Sequence, residues 1–146
     1  SEIIAAMNKI QSQSNTSTSS ISMAASVEAL QGNQDFIFIH NIEFKKRRDM
    51  IVEKLNKIDG ITCKTPEGAF YVYPSCEGLM GKKTPTGIII DSDEKFMTYL
   101  LESEGVAGVH GEAFGLSPYF RLSYATSEKI LIDACERISR ACKDLK

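Results

Sequence analysis

The chain has 146 residues, of which 42% are hydrophobic and 25% charged, and its formal net charge is −2. This length allows one compact domain with a core but not two ordinary ones, and the composition is that of a globular protein. The weak net charge argues against nucleic acid or an anionic membrane as a partner, and the longest apolar run, residues 87–90, is too short to span a bilayer. Because no secretory pattern is visible at the start of the sequence, we expect a cytoplasmic protein.

The four cysteines indicate structural thiols rather than a metal site. None belongs to a C-x-x-C pair, and only two histidines could supplement them as zinc ligands. Cys135 and Cys142 are seven residues apart in a helical pattern, and they share its apolar face with Leu131, Ile138 and Leu145. We therefore predict four reduced, buried thiols and no metal.

The amino-terminal third predicts helices joined by an irregular connection. Apolar residues lie on one side of residues 1–10, as in the end of a helix. Residues 11–22 are rich in Ser, Thr and Asn, whose side chains compete for backbone hydrogen bonds, so they predict an irregular segment. A short helix follows to Leu30 and ends at Gly32. Its cap is one of Ser19, Ser20 and Ser22.

The longest helical candidate covers residues 34–58. Ile37, Phe44, Ile51 and Ile58 recur at heptad spacing, and an Asp-Gly pair then ends the run. A basic run at residues 45–48 lies inside this helix. Four consecutive residues fan around a helix instead of forming one stripe, so we interpret them as a solvated face and not as a nucleic-acid site.

The remaining sequence alternates short strands with two helices. Residues 61–64, 69–73, 106–109 and 120–124 are strand candidates. One helix is capped by Ser92 or Asp93 and closed by Gly105, and the last helix starts at Thr126 or Ser127. This order predicts an α+β fold (an α/β sandwich) in which a small sheet is covered by helices.

The sequence lacks the common catalytic motifs. The glycines of residues 105–115 lead into another strand and not into a helix, so they do not match a phosphate-binding loop. No G-x-S-x-G motif surrounds any serine. His110 has two open interpretations, a proton shuttle or a polar surface group.

Arg121 is the residue best suited to bind a ligand. It lies in a predicted strand between Phe120 and Leu122, so alternation puts it on the face opposite these apolar residues. A guanidinium offers a planar fork that matches a carboxylate through two parallel hydrogen bonds. Alternation by itself also fits an arginine that merely reaches solvent.

Four short motifs follow one another in order: PEGAFYVYP at residues 66–74, GVA at 105–107, GEAFG at 111–115 and YFRLSYA at 119–125. This succession resembles the end of class I aminotransferases, and it is most similar to the bacterial aspartate (aspartate/prephenate) type. The QSQS segment at residues 11–14 and the following Ser/Thr tract also resemble that family, so the likeness covers nearly the whole chain.

The resemblance implies a pyridoxal-phosphate enzyme that transfers an amino group between an amino acid, aspartate or glutamate, and a 2-oxo acid. It implies three segments: residues 1–33 end the large cofactor domain, residues 34–60 form a long connecting helix, and residues 61–146 form the small carboxyl-terminal domain. By the same likeness Arg121 binds the substrate α-carboxylate, Phe70 lies on the pocket wall and Asn15 lies near the active site.

The resemblance also implies that the full-length protein is a homodimer and that this chain alone is inactive. No lysine here matches the family's cofactor-binding motif, so we expect neither a catalytic residue nor covalently bound pyridoxal phosphate in this chain. His110 stands where the family usually has proline. The alternative function is a free-standing carboxylate-binding or interaction module without catalysis.

Overall fold

A computed structural model describes residues 1–15 and 17–146. The chain divides into two compact units, Ser1–Phe38 and Ile39–Lys146. Over the described residues it forms five α-helices and one three-stranded antiparallel sheet, with two short 3-10 turns. The predicted α+β class is confirmed. Among residues 1–15 and 17–146, no helix has both the length and the apolarity that are needed to cross a bilayer.

The first unit contains helices α1 (Glu2–Ser14) and α2 (Ser20–Gln31). The predicted irregular segment at residues 11–22 is therefore wrong at both of its ends, and its centre, Thr16, lies outside the described residues. The hydroxyls of Ser12 and Ser14 bond to carbonyl groups three and four residues earlier. These hydroxyl groups bond to carbonyl groups of the helix itself and do not replace its backbone hydrogen bonds. The prediction was wrong because it assumed that they would.

Helix α3 (Asp35–Leu55) ends three residues before the predicted run does. Its buried residues are Ile51, Val52 and Leu55, close to its carboxyl end. In the basic run, Lys45 and Lys46 are exposed, and Lys46 forms an ion pair with Glu128 at 2.8 Å. Arg47 and Arg48 are half-buried, so only the first half of the run is the solvated face that was predicted.

The sheet of the second unit consists of β1 (Tyr71–Val72), β2 (Val109–His110) and β3 (Phe120–Ser123), in the order β1-β3-β2. All three strands are shorter than predicted, and residues 61–64 contribute only a single bridge, Thr62 to Ser75.

Side chains and helix ends use the backbone groups that longer strands would need. The carboxamide of Asn56 bonds to both the N–H (2.8 Å) and the carbonyl (2.9 Å) of Cys63. The N–H of Val106 bonds to the carbonyl of Leu100 in the preceding helix. These two segments therefore complete helix ends and turns instead of strands.

Helices α4 (Asp93–Glu104) and α5 (Glu128–Asp144) pack against each other, and α4 also contacts β2. Both helices start where local signals predict, and α4 also ends there. The hydroxyl of Ser92 accepts a hydrogen bond from the N–H of Lys95 at 3.3 Å, so Ser92, and not Asp93, is the cap. Ser127 caps α5. Gly105 ends α4 with a φ of 66°, which glycine adopts without steric cost.

The core of the second unit includes the four cysteines, which are free and buried. The predicted stripe on α5 is confirmed, since Leu131, Cys135, Ile138, Cys142 and Leu145 are all buried. Burial raises the pKa of the thiols to about 11 or 12. They are therefore neutral core groups and not nucleophiles.

Candidate functional site

Strand β3 presents Arg121 on the face of the sheet that is turned away from the core. Its neighbours Phe120 and Leu122 are buried, with 0% and 7% of their surface exposed, whereas Arg121 is half-buried. Arg121 lies opposite Val109 in the antiparallel ladder with β2. The side-chain alternation that the sequence predicts is therefore present.

The guanidinium of Arg121 lies between two aromatic rings. Its central carbon is 4.5 Å from the ring centroid of Tyr71 and 4.4 Å from that of Phe114. Both distances are within the range of cation–π attraction. Because the two rings contact the guanidinium at once, they restrict its orientation.

Arg121 has no acidic partner among residues 1–15 and 17–146. Other arginines of the second unit do: Arg137 pairs with Asp133, and Arg140 pairs with Glu104, each at 2.7 Å. The N–H donors of Arg121 make no hydrogen bond within the same described ranges. Its charge and its fork of donors are therefore available to an anion, and a carboxylate matches that fork best.

A turn at residues 111–119 supplies one of the two rings. It begins with the 3-10 segment Gly111–Phe114. The hydroxyl of Tyr73 lies within hydrogen-bonding distance of the carbonyl oxygens of Gly111 (3.0 Å) and Leu116 (3.2 Å), and its ring stacks on Tyr119 at 5.4 Å. Gly111 is required here, because a Cβ atom would collide with the carbonyl oxygen of Leu116.

The phenol of Tyr73 is held in its protonated, donating form. Burial raises its pKa above the ordinary value, the negative charge of Asp93 acts in the same direction, and the positive charge of Arg121 opposes them. We call Tyr71, Tyr73, Phe114 and Tyr119, which surround Arg121 and this turn, the aromatic cluster.

Sequence reasoning missed Asp93. Its side chain is fully buried, and its Oδ2 atom accepts hydrogen bonds from the backbone N–H groups of Glu112 and Tyr119, both at 3.2 Å. In the sequence an acid next to the cap looks like an ordinary residue of the first helical turn. Only the fold reveals that it points to the turn at residues 111–119.

The other predicted residues lie at different distances from Arg121. The ring of Phe70 is exposed and contacts that of Tyr71 at a centroid distance of 4.5 Å, so it adjoins the aromatic cluster. His110 lies on β2 opposite Phe120, one position along the ladder from Arg121. Asn15 ends α1 in the first unit, so its role stays a prediction.

The surface around Arg121 is open. The rings of Phe70 and Phe114 are 42% and 48% exposed, and a cavity of about 700 Å³ lies elsewhere, between residues 84–88 and α4. In the described part of the chain, the groups in contact with Arg121 are aromatic rings, with no lysine amine or phosphate cradle. The free fork of donors on this surface fits a carboxylate.

Comparison with known proteins gives the family. The model for aminotransferases of class I and II matches residues 1–138. A probable aspartate/prephenate aminotransferase of Rhizobium leguminosarum bv. phaseoli is 57% identical over 97% of this chain and 35% of its own length.

Solved structures agree with this match. The crystal structure of the aspartate aminotransferase from Rhizobium meliloti superimposes with a TM-score of 0.94 at 54% identity, over 99% of this chain and 36% of that one. Aspartate aminotransferase from Thermus thermophilus with maleate has a TM-score of 0.78 at 35% identity, over 96% and 34%. The chain thus spans about a third of the length of its relatives, and it belongs to the class I and II aminotransferase family.

Proposed function

We propose that this chain is the carboxyl-terminal part of an aminotransferase that moves an amino group between an amino acid and a 2-oxo acid by means of pyridoxal phosphate. The two units correspond to a part of the large domain, followed by the connecting helix and the small domain. The match over residues 1–138, which covers the whole first unit and most of the second, supports this proposal more than a free-standing module.

The observation that carries the proposal is the unpaired guanidinium of Arg121 between Tyr71 and Phe114. We assign it to the α-carboxylate of the substrate, with Phe70 on the wall of the same pocket and Asn15 near the active site. An arginine fork binds a carboxylate through two hydrogen bonds and so fixes both its position and its direction. A substrate held in this way meets the cofactor in one orientation, which lowers the entropic part of the barrier.

The cofactor chemistry belongs to groups outside this chain. No lysine in the sequence matches the cofactor-binding motif of the family, and the described lysines in ion pairs, Lys46, Lys57 and Lys95, are bound to acids at exposed sites. When bound by the rest of the protein, pyridoxal phosphate acts as the electron sink of the reaction. We therefore expect this chain alone to be inactive.

Aspartate or glutamate is the proposed amino donor. The names of the similar proteins support this choice, and the structure of the Thermus protein with maleate contains a dicarboxylate. Arg121 provides one cation for the α-carboxylate, so we assign the contacts to the second carboxylate to groups beyond this chain.

The first unit has a surface that further protein would cover. The large apolar side chains of its helices α1 and α2 are 54–82% exposed, and they are Ile3, Ile4, Met7, Ile10, Ile21, Met23, Val27 and Leu30. Apolar surface of this extent is typical of protein interfaces. We assign the cover to the rest of the polypeptide and to a second copy in a cytoplasmic homodimer, which sedimentation of the full-length protein will test.

The experiment compares Arg121→Ala, Arg121→Lys and the control Arg140→Ala in the full-length polypeptide. Conversion of the cofactor by aspartate, followed by absorbance, reports on productive binding. Removal of one partner of a charged, hydrogen-bonded pair costs about 2–5 kcal/mol, so kcat/KM for Arg121→Ala should fall by roughly 30- to 5000-fold. Lysine keeps the charge but not the fork, and it should restore part of the loss. Arg140 is exposed, its ion pair among the described residues is with Glu104, and its replacement should leave kcat/KM unchanged.

The outcomes separate the two functions. Unchanged kcat/KM in Arg121→Ala would remove Arg121 from the substrate site. A full-length protein that binds dicarboxylates through Arg121 but converts no amino acid in the presence of pyridoxal phosphate would support the alternative, a binding module.

A further inference from the structure

Asp93 is a buried carboxylate that the proposed reaction does not use. It is 0% exposed and lies at the first position of α4, next to the cap residue Ser92. Burial of a carboxylate is costly unless hydrogen bonds or charges compensate it. Ser92 already caps the helix, so capping does not explain why an acid occupies this position.

The hydrogen bonds of Asp93 lead to both ends of one turn. Its Oδ2 atom accepts from the N–H of Glu112, at the start of the turn, and from the N–H of Tyr119, at its end, each at 3.2 Å. Its Oδ1 atom has no partner among the described residues. The positive end of the α4 dipole stabilises the charge in this location.

The same turn carries a ring that contacts Arg121. Phe114 is in the middle of the turn and lies 4.4 Å from the guanidinium carbon. The ring itself is 48% exposed, so core packing does not hold it. Its position depends on the backbone of the turn, which Asp93 and the hydroxyl of Tyr73 both hold, and on an edge-on contact with the ring of Tyr73 at a centroid distance of 6.2 Å.

We propose that Asp93 is a positioning residue for substrate binding: it holds the turn at residues 111–119 so that Phe114 keeps the guanidinium of Arg121 aimed at the α-carboxylate. This inference rests on the proposed function of Arg121. Asp93 touches neither the guanidinium nor the substrate, and it acts through the backbone N–H groups of Glu112 and Tyr119 and then through Phe114.

The main test is Asp93→Asn in the full-length protein. The carboxamide is nearly isosteric but lacks the charge, so its hydrogen bonds to the turn are weaker. We expect KM for aspartate to rise about tenfold with kcat reduced less than twofold, as for the weakening of one charge-assisted hydrogen bond. A residue with a purely structural role would instead lower the amount of active protein, and so the apparent kcat, at unchanged KM.

The matched control is Asp91→Asn. Asp91 lies two residues earlier, is exposed, and pairs with Lys95 at 2.6 Å on the surface. Its replacement should leave both KM and kcat unchanged. An equal effect of the two substitutions would overturn the proposal, because it would indicate a general influence of charge.

A double-mutant cycle tests the route through Phe114. If Asp93 acts by holding this ring, Asp93→Asn should raise KM less than about twofold in a Phe114→Leu background. Additive effects of the two substitutions would refute this route.

Two further measurements keep the test decisive. If Asp93→Asn does not fold, Asp93→Ser keeps a small acceptor and is subject to the same expectation for KM. In the wild type the N–H groups of Glu112 and Tyr119 should exchange slowly with solvent deuterium, and fast exchange of both would overturn the proposal. Arg121→Ala separates the two claims: no effect there refutes the proposed function, whereas an effect there with none in Asp93→Asn refutes only the role of Asp93.

Discussion

Substitutions of two neighbouring residues of β3 should have different effects. Replacement of Phe120 should lower stability, whereas replacement of Arg121 should mainly weaken substrate binding. Phe120 points into the core, where it is fully buried and its ring meets that of Phe96 edge-on at a centroid distance of 5.4 Å. Arg121 points to the open face, where its guanidinium contacts the rings of Tyr71 and Phe114. Because side chains alternate along a strand, one face of β3 packs in the core and the other is available for binding.

The magnitudes of the two effects differ clearly. Replacement of a buried phenylalanine by alanine costs about 3–5 kcal/mol, which includes the lost ring contact and the cavity left behind. In Arg121→Gln two cation–π contacts at a half-exposed site are lost, each worth about 0.5–1 kcal/mol. We therefore expect Phe120→Ala to lower the free energy of unfolding at least about 1 kcal/mol more than Arg121→Gln does.

Urea unfolding followed by near-ultraviolet circular dichroism is a suitable assay. All five tyrosines belong to the second unit, so the tyrosine signal reports on that unit only. This restriction matters because a chain with two units need not unfold in one step. If Arg121→Gln destabilised the second unit as much as Phe120→Ala, Arg121 would be a structural residue, and its assignment to a substrate carboxylate would lose its basis.

Four local predictions concern the ends of α4 and the buried thiols. Ser92→Ala removes the cap whose hydroxyl accepts from Lys95, and it should lower the free energy of unfolding by about 1 kcal/mol in the same urea assay. Gly105→Ala forces a Cβ into a φ of 66° and should cost about 1 kcal/mol, with no clash to add to it, since the nearest atom is 3.9 Å away. Burial raises the pKa of Cys76 to about 12, so a thiol reagent at pH 8 should label it quickly only in urea, as mass spectrometry will show. Because unfolded thiols ionise near pH 8.5 and the buried ones do not, the contribution of the thiols to stability should be constant below that pH and fall as the pH rises toward 11.

The helices of the second unit could be predicted because their signals are local. Ser92, Gly105 and Ser127 act on backbone groups within five residues of themselves, and the apolar stripe of α5 lies along one helix and its carboxyl-terminal cap. The first unit was predicted less well because the hydroxyls of Ser12 and Ser14 can bond inside or outside a helix. The composition of a Ser/Thr-rich segment does not decide between these two cases.

The strands and the site depend on partners that are distant in sequence. Residues 61–64 have the composition of a strand, but the side chain of Asn56 takes the backbone groups of Cys63. Alternation predicted the face on which Arg121 lies. It could not predict that Phe114 would flank the guanidinium or that Asp93 would hold the turn, because neither contact leaves a periodic signal in the sequence.

The main consequence of the aromatic rings beside Arg121 is that they leave the positive charge of its guanidinium uncompensated. An acid at the position of Tyr71 or Phe114 would hold the guanidinium equally still, but it would neutralise it and compete with any incoming carboxylate. An aromatic ring restricts the same group through its face while the charge and the N–H donors remain free. Since the chain as a whole is slightly acidic, attraction of an anionic substrate to this surface has to come from that local cation. Exchange of either ring for a carboxylate should therefore weaken substrate binding more than exchange for an aliphatic residue, even though both exchanges remove one ring contact.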